Sequence, residues 1–274
     1  MGKDRLKEAF AIMRQEGRTG LIVFLTAGFP DKEATLELVP ELAAAGADVI
    51  ELGVPFSDPL AEGPTIQESS FRALQGQTTL GDCLGMVERV RGRVPQTPLV
   101  LMGYYNPVYS YGLGRFAQDA QRVGVDGVIM CDLPQFEAGP LAVECAARGI
   151  HIIPLLAPTS TDASIRASCA EATSFIYCIS VTGVTGARDQ VSERWPELVR
   201  RVRAHTSLPV AVGFGIARRD HVLDVGKGAD AAVVGSALIR VMLESPRDQL
   251  VERASRFVAE LAGSPLPIRG GSAR

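Results

Sequence analysis

The chain has 274 residues, of which 46% are hydrophobic and 22% are charged, and its formal net charge is −3. This is the composition of a globular protein long enough to bury a large core without disulfides or structural metals. The nearly balanced charge excludes the one-sided basic surface that nucleic acids or anionic membranes bind.

A helix over residues 3–16 is predicted to precede the first strand. Eight short apolar runs then follow, separated by stretches with the 3.6-residue periodicity of helices. Because these runs are almost continuously apolar rather than alternating, both faces of each strand should be buried, as in a parallel sheet. The predicted strands are residues 21–26, 48–52, 99–103, 127–131, 151–155, 175–180, 210–213 and 231–235.

A faint repeat marks three of the junctions between helices and strands. A glycine, a small residue and an aspartate precede a strand at residues 46–48, 124–126 and 228–230. Glycine just past a helix end can adopt the left-handed conformation that terminates the helix. Eight strands, each followed by a helix, in about 250 residues match a single (β/α)₈ TIM barrel, an α/β fold.

This barrel, with its extra N-terminal helix, is expected to span residues 1–262, and residues 263–274 are expected to be a disordered tail. A doubly wound open sheet is the alternative topology, since the alternation of strands and helices does not separate the two.

The cysteine usage and the N-terminus favour a cytoplasmic protein. Five cysteines form an odd set without a C-x-x-C pair, which argues against a disulfide framework or a zinc site. The three histidines are too scattered for a metal cage, so no metal is expected. The first residues lack the apolar core of a signal peptide, and no apolar run approaches the ~18 residues of a membrane helix.

Carboxylates gather at the end of the second predicted strand, where catalytic groups of barrel enzymes lie. Glu51 lies near the end of an otherwise apolar strand, and an ionised carboxylate buried there without a partner would be costly. It is either paired with an arginine or lysine elsewhere, or it has a raised pKa and acts as an acid and base. The next loop carries Asp58 and Glu62 among prolines and glycines, a pattern typical of a shaped active-site or interface loop, although a solvated acidic loop is the alternative.

Glycines at the ends of the last three predicted strands indicate a phosphate site. They occur in residues 181–186, in residues 213–216 and at Gly235, which is followed at once by Ser236 and a helix. Backbone N–H groups at such glycines and at a helix N-terminus can bind one anion. Tight turns explain any one of these glycines alone, but less readily all three.

Aromatic residues near strand ends either fill the core or line a flat apolar pocket for an aromatic substrate. They are Phe24, Tyr104, Tyr105, Tyr177 and Phe214. Asp132, after the fourth strand, is either a polar member of the same site or a helix cap.

The segment 51–67, ELGVPFSDPLAEGPTIQ, closely resembles the signature of tryptophan synthase α subunits. Shorter matches occur along the chain, in the same order as in the family, at residues 24–30, 101–107, 131–134, 180–186, 213–216 and 235–236. The resemblance implies a barrel lyase that cleaves indole-3-glycerol phosphate to indole and glyceraldehyde 3-phosphate. It further implies an α2β2 complex in which indole passes to a β subunit that carries pyridoxal phosphate (PLP), with no cofactor in this chain.

The resemblance also implies roles for individual residues. Glu51 would be the acid–base group of the carbon–carbon cleavage, and Glu62 would lie beside the indole N–H. Asp58 and Pro59, with a loop around residues 105–111, would face the β subunit. The phosphate would be bound by Gly186, Gly215, Gly235 and Ser236, and the indole ring by Phe24, Tyr104, Tyr177 and Phe214, with Thr185 in a loop that closes over it.

Position 62 departs from the family pattern, because the usual residue there is Asp. The extra methylene moves the carboxylate by about one ångström, and a misplacement of that size can cost ~10²-fold in rate. We hypothesise that the loop over residues 54–64 compensates. Two alternatives stay open: a free-standing lyase that releases indole, and an activity-poor α-like subunit that regulates β.

Overall fold

The computed structural model describes residues 4–179, 195–213 and 215–264. Within these residues the chain forms nine strands, all paired in parallel, and twelve α-helices. The strands are β1 (Gly20–Thr26), β2 (Val49–Gly53), β3 (Leu99–Gly103), β4 (Gly127–Met130), β5 (His151–Ile152), β6 (Leu155–Leu156), β7 (Ile176–Ile179), β8 (Val210–Gly213) and β9 (Ala231–Val234). The helices are α1 (Arg5–Gln15), α2 (Lys32–Ala44), α3 (Pro64–Gln75), α4 (Leu80–Arg91), α5 (Tyr105–Tyr111), α6 (Leu113–Val123), α7 (Gly139–Ala146), α8 (Asp162–Glu171), α9 (Trp195–Arg203), α10 (Arg219–Val225), α11 (Ser236–Leu243) and α12 (Leu250–Ala262).

The fifth predicted strand is two short strands rather than one. The Ile153 N–H bonds the Val128 carbonyl of β4 at 2.9 Å, whereas the Pro154 carbonyl accepts the Tyr177 N–H of β7 at 3.0 Å. Pro154 has no N–H with which to continue the ladder to β4, so the chain changes partners there. The sheet runs β5-β4-β3-β2-β1-β9-β8-β7-β6, and its two ends are consecutive pieces of one segment. The sheet is therefore closed into a barrel, and the open doubly wound alternative is wrong.

The predicted N-terminal helix is present as α1 and closes one end of the barrel. Leu6, Phe10 and Met13 of α1 are buried in one cluster with strand residues of the barrel interior. The Met13 sulfur lies so close to the backbone of Gly20, at the start of β1, that a side chain there would collide with it. A second, larger cluster fills the space between the sheet and the surrounding helices. With one end of the barrel filled by α1, the opposite end, where the strands terminate, is left for a site.

The repeated aspartates clamp neighbouring strands together. Each carboxylate accepts a hydrogen bond from a backbone N–H near the start of the preceding strand at 2.7–2.8 Å. It also accepts a hydrogen bond from an arginine side chain. The three sets are Asp48 with Leu21 and Arg18, Asp126 with Leu99 and Arg91, and Asp230 with Val210 and Arg203.

The repeated glycines do not all serve the purpose that the sequence predicts. Gly46 and Gly124 take φ values of +110° and +90°, as expected of residues that end helices. Gly228 does not take a positive φ; a side chain there would lie 3.2 Å from the Trp195 ring. Close packing, rather than backbone conformation, accounts for the third glycine.

Asp126→Asn should lower the free energy of unfolding by about 2 kcal/mol, because Arg91 would then remain half-buried beside a neutral amide. In the wild type, Asp126 is buried and pairs with Arg91 at 2.8 Å and with Arg5 at 2.9 Å. Urea unfolding of wild type and variant at pH 7 measures the difference. Asp224→Asn, which breaks an exposed pair with Lys227, is the control and should leave the midpoint unchanged. Equal effects of the two substitutions would contradict the clamp.

The prediction of a loop over residues 105–111 is wrong. These residues form helix α5, and Asp132 accepts the N–H of its first residue, Tyr105, at 2.8 Å. The proposed tail lies mostly outside the described residues, which end shortly after Gly263 (φ +68°) terminates α12. No helix among the described residues is long and apolar enough to cross a membrane.

Candidate active site

Glu51 is fully buried in the middle of β2, facing Phe24 of β1 and Val100 of β3 in the register of the sheet. Neither carboxylate oxygen has a hydrogen-bond partner among the described residues, so none of these residues forms the ion pair that the sequence left open as an alternative. Burial raises the pKa of Glu51 from its ordinary 4.5 to about 8. At neutral pH this carboxyl is thus mostly protonated and can both donate and accept a proton within the working range of an acid–base catalyst.

Glu62 is partly buried above the strand ends and contacts Tyr104, the residue that follows β3. The Tyr104 hydroxyl donates to Oε2 of Glu62 in a short hydrogen bond and accepts the Ala61 N–H at 2.9 Å. Burial raises the pKa of Glu62, the Tyr104 hydrogen bond lowers it, and the charge of Asp132 raises it again. The Tyr104 ring also stacks on Phe56, with centroids 5.0 Å apart. The Glu62 side chain is therefore fixed by protein contacts and is not a fully solvated surface carboxylate.

The loop before Glu62 is tied down along its length. The Val54 N–H bonds the Met102 carbonyl at 2.8 Å, and Ser70 accepts the Phe56 N–H at 3.1 Å. Gln67 donates to the carbonyls of Glu62 at 3.0 Å and Pro59 at 3.4 Å. These bonds connect the loop to β3 and α3, which agrees with the prediction of a shaped loop.

Cys131, the first residue after β4, joins the same cluster, although sequence reasoning did not assign it to the site. Its Sγ lies 4.0 Å from Oε1 of Glu62. Burial raises the pKa of the thiol, and the charges of Glu62, Glu51 and Asp132 raise it further. Its position at a strand end, which drew attention to Glu51, was the signal that could have identified it. Asp132 caps α5 and also acts electrostatically on Glu62, so it combines both roles that the sequence left open.

Two predicted aromatic residues line the barrel beside the carboxylates. Phe24 and Tyr177 are both buried. Burial raises the pKa of the Tyr177 hydroxyl, and the charges of Glu51 and Cys131 raise it further. Any side chain at Gly53 would collide with the Phe24 ring, and one at Gly213 would collide with Tyr177. These two glycines make room for the aromatic rings. The structure thus places Phe24, Tyr104 and Tyr177 on the strands and strand ends around Glu51.

The described part of the predicted phosphate site lies at the ends of β8 and β9. Gly215 has a φ of +52° and open space where a side chain would be. Gly235 precedes Ser236, the first residue of α11, and no described side chain caps that helix. The first-turn N–H groups of α11 are accordingly available for an anion. Thr185, Gly186 and Phe214 lie outside the described residues.

The outer side of the site exposes both charged and apolar groups. Asp58 is exposed and accepts the Ser57 hydroxyl at 2.5 Å, while Pro59 is half-buried. The neighbouring Leu60 is 85% exposed, and Phe136, in a 3₁₀ turn after β4, is 86% exposed. Among the described residues no group of three or more histidine, cysteine, aspartate or glutamate side chains could hold a metal ion.

Known proteins resemble the chain over almost its whole length. The family model for the tryptophan synthase alpha chain matches residues 10–263. A tryptophan synthase alpha chain of Roseiflexus sp. (strain RS-1) is 48% identical over 259 residues, covering 94% of this chain and 99% of that one.

Solved structures agree. A chain of Mycobacterium tuberculosis tryptophan synthase superimposes with a TM-score of 0.88 at 36% identity, covering 94% of this chain and 97% of that one. A chain of the tryptophan synthase a2b2 complex of Pyrococcus furiosus superimposes with a TM-score of 0.84 at 40% identity, covering 90% and 98%. The closed barrel, the buried carboxyl of Glu51 in β2 and these similarities lead to one conclusion: the chain belongs to the tryptophan synthase alpha chain family.

Proposed function

We propose that the chain is the α subunit of a tryptophan synthase and cleaves indole-3-glycerol phosphate to indole and glyceraldehyde 3-phosphate. The observation that carries the proposal is Glu51, a fully buried carboxyl without a partner among the described residues and with a pKa near 8. A structural residue in this position would be apolar, because an unpaired buried carboxyl costs stability.

The chemistry requires one proton to enter the substrate and another to leave it. The protonated Glu51 carboxyl donates to C3 of the indole, which leaves the ring nitrogen cationic. The same carboxyl then takes the proton of the adjacent glycerol hydroxyl while the carbon–carbon bond breaks. The bonding electrons restore the C2–C3 double bond, the new carbonyl leaves as glyceraldehyde 3-phosphate, and Glu51 ends protonated again.

Glu62 supports the cationic intermediate. Its carboxylate, held by Tyr104, would accept the indole N–H and stabilise the positive charge that develops there. The ring would lie between Phe24, Tyr104 and Tyr177, joined by Phe214. The phosphate would be bound at the α11 N-terminus by Gly235 and Ser236, together with Gly215, Gly186 and a closing Thr185.

We further propose that the chain works in the cytoplasm with a β subunit and carries no cofactor of its own, PLP being bound by β. The similar Pyrococcus furiosus chain belongs to an a2b2 complex. Exposed apolar side chains support a docking face around Asp58 and Pro59: Leu60, Tyr109 of α5 and Phe136 follow three successive strands, β2, β3 and β4. Apolar exposure of this kind is typical of protein interfaces.

Phe136→Asp should weaken activation by β at least about tenfold in the β concentration required, because a charge would replace an apolar contact in the interface. Turnover of the isolated subunit should not change, because Phe136 is 86% exposed and has no contact with Glu51 or Glu62 among the hydrogen bonds and ring contacts of the described residues. Titration of lyase activity with the β subunit measures both quantities. Val143→Asp, which alters an exposed apolar residue of α7, is the matched control. If the two variants behave alike, Phe136 lies outside the docking face.

Indole release from indole-3-glycerol phosphate, measured with and without β, tests the proposed function. Turnover that β increases identifies an α subunit of a tryptophan synthase. Equal turnover with and without β identifies the free-standing lyase. If the chain releases no indole but still stimulates the reaction of β, it is the activity-poor regulatory subunit, and the proposed lyase function is wrong.

A further inference from the structure

The carboxylate of Glu62 is contacted on both of its oxygens by uncharged donors from two neighbouring strand ends. Tyr104, after β3, donates to Oε2, and the Cys131 thiol, after β4, lies 4.0 Å from Oε1. Two donors on opposite oxygens define the orientation of a carboxylate, whereas a single donor would leave it free to rotate.

We propose that Cys131 is a positioning residue: its thiol holds Oε1 of Glu62 and thereby adapts the site to a glutamate where the family resemblance implies an aspartate. The inference deepens the proposed lyase function and rests on it. It concerns a residue to which neither the family resemblance nor the cleavage chemistry assigns a part.

The thiol is suited to donate rather than to react. It lies among three carboxyl groups, Glu62, Glu51 and Asp132, and their charges act with burial to raise its pKa. The sulfur therefore keeps its proton at neutral pH. The protonated thiol can donate its hydrogen to Oε1 of Glu62, the carboxylate oxygen that it contacts.

A second contact matters for Glu62 because its side chain is longer and less constrained than that of aspartate. Its side chain has one more rotatable bond than aspartate, and the charge of Asp132 acts on it from the end of β4. Asp132 itself cannot move away, since it caps the Tyr105 N–H at 2.8 Å. A cavity of about 280 Å³ is lined by Cys131 and Asp132. The neighbourhood of the Glu62 carboxylate on the β4 side is therefore not fully packed, and the thiol contact fixes Oε1 there.

The test is a double-mutant cycle with Cys131→Ala and Glu62→Asp. In the presence of Glu62, Cys131→Ala should lower kcat about three- to fivefold, the effect of losing one modest hydrogen bond. In the Glu62→Asp background the carboxylate is too short to reach the thiol, so the same substitution should change kcat by less than about 1.5-fold. Cys131→Ser retains a donor and should lose less activity than Cys131→Ala.

Cys178→Ala is the matched control, because Cys178 is a buried thiol of β7 in the cluster outside the barrel. The effect of Cys178→Ala on kcat should be the same with Glu62 present and in the Glu62→Asp background. Equal effects of Cys131→Ala in both backgrounds, in an enzyme that does release indole, would overturn the positioning role and leave the lyase function intact.

A spectroscopic readout makes the test independent of turnover. The infrared S–H stretching band of Cys131, obtained as the difference between wild type and Cys131→Ala, should move to higher wavenumber in Glu62→Asp as the hydrogen bond is lost. A band that ignores residue 62 rules out the contact. If wild type releases no indole but the band does respond, the proposed function fails while the positioning of Glu62 by Cys131 stands.

Discussion

Glu51→Gln should reduce indole release about 10²–10⁴-fold, the range expected when a general acid–base group is removed. The amide has the size and shape of the protonated carboxyl, so the site should remain packed, but it cannot give a proton to C3 or take one from the hydroxyl. Single-turnover and steady-state assays with indole-3-glycerol phosphate measure the loss. Glu68→Gln, the same substitution at an exposed position of α3, is the control and should keep wild-type turnover.

The same substitution should change the pH dependence of stability. The pKa of Glu51 is about 8 in the folded protein against an ordinary 4.5, so between these values the folded state binds the extra proton. Wild type should therefore lose stability as pH rises from about 4.5 to 8, by at most about 1.4 kcal/mol per pH unit. Glu51→Gln has no such proton to lose and should be more stable than wild type at pH 9, by about 2–4 kcal/mol.

Urea unfolding at pH 5, 7 and 9 separates the two proteins. An inactive Glu51→Gln with the wild-type pH dependence would mean that Glu51 is ionised at little cost, contrary to its burial. A fully active variant would remove Glu51 from the mechanism altogether and with it the observation that carries the proposed function.

Glu62→Asp should lower indole release by about 10²-fold, even though it introduces the residue that the family resemblance implies at this position. The shorter side chain withdraws the carboxylate from the Tyr104 hydroxyl and from the Cys131 thiol, and the loop cannot follow because its bonds to β3 and α3 hold it. The KM for substrate should change less than kcat, because the interaction with the ring nitrogen strengthens as positive charge develops.

Glu68→Asp provides the same shortening on an exposed surface and should have no effect on turnover. A Glu62→Asp enzyme that is faster than wild type would show that position 62 is a handicap and that the loop has not been refitted around glutamate. If Glu62→Asp lowers turnover no more than Glu68→Asp does, the Glu62 carboxylate is free to move and its two donors contribute little.

The sequence alone determined the elements that depend on local pattern. The continuous apolar runs identified the barrel strands, the periodic stretches identified the helices between them, and the N-terminal helix lies at residues 5–15 as predicted at 3–16. Glycine next to Ser236 correctly predicted a helix that starts directly after the last strand. Such features are encoded within a few residues and need no distant partner. The signature around Glu51 also identified the family.

The tertiary structure decided everything that depends on which distant residues meet. Asp48, Asp126 and Asp230 form a visible repeat, yet their clamps to the preceding strands depend on which strands lie side by side in the sheet. The split of the fifth strand at Pro154 depends on two different neighbours, and a tyrosine-rich segment became helix α5 because Asp132 caps it from the next strand end.

The same holds for the site. The sequence placed Glu51 in an apolar strand but left open whether an arginine or lysine pairs with it; the fold buries it without a partner among the described residues. The sequence also showed a glutamate at position 62 but not what holds its carboxylate. The structure shows contacts with Tyr104 and Cys131, which lie 42 and 69 positions away in the chain. Carboxyl chemistry is set by burial and by neighbours, and both are properties of the folded chain rather than of its local pattern.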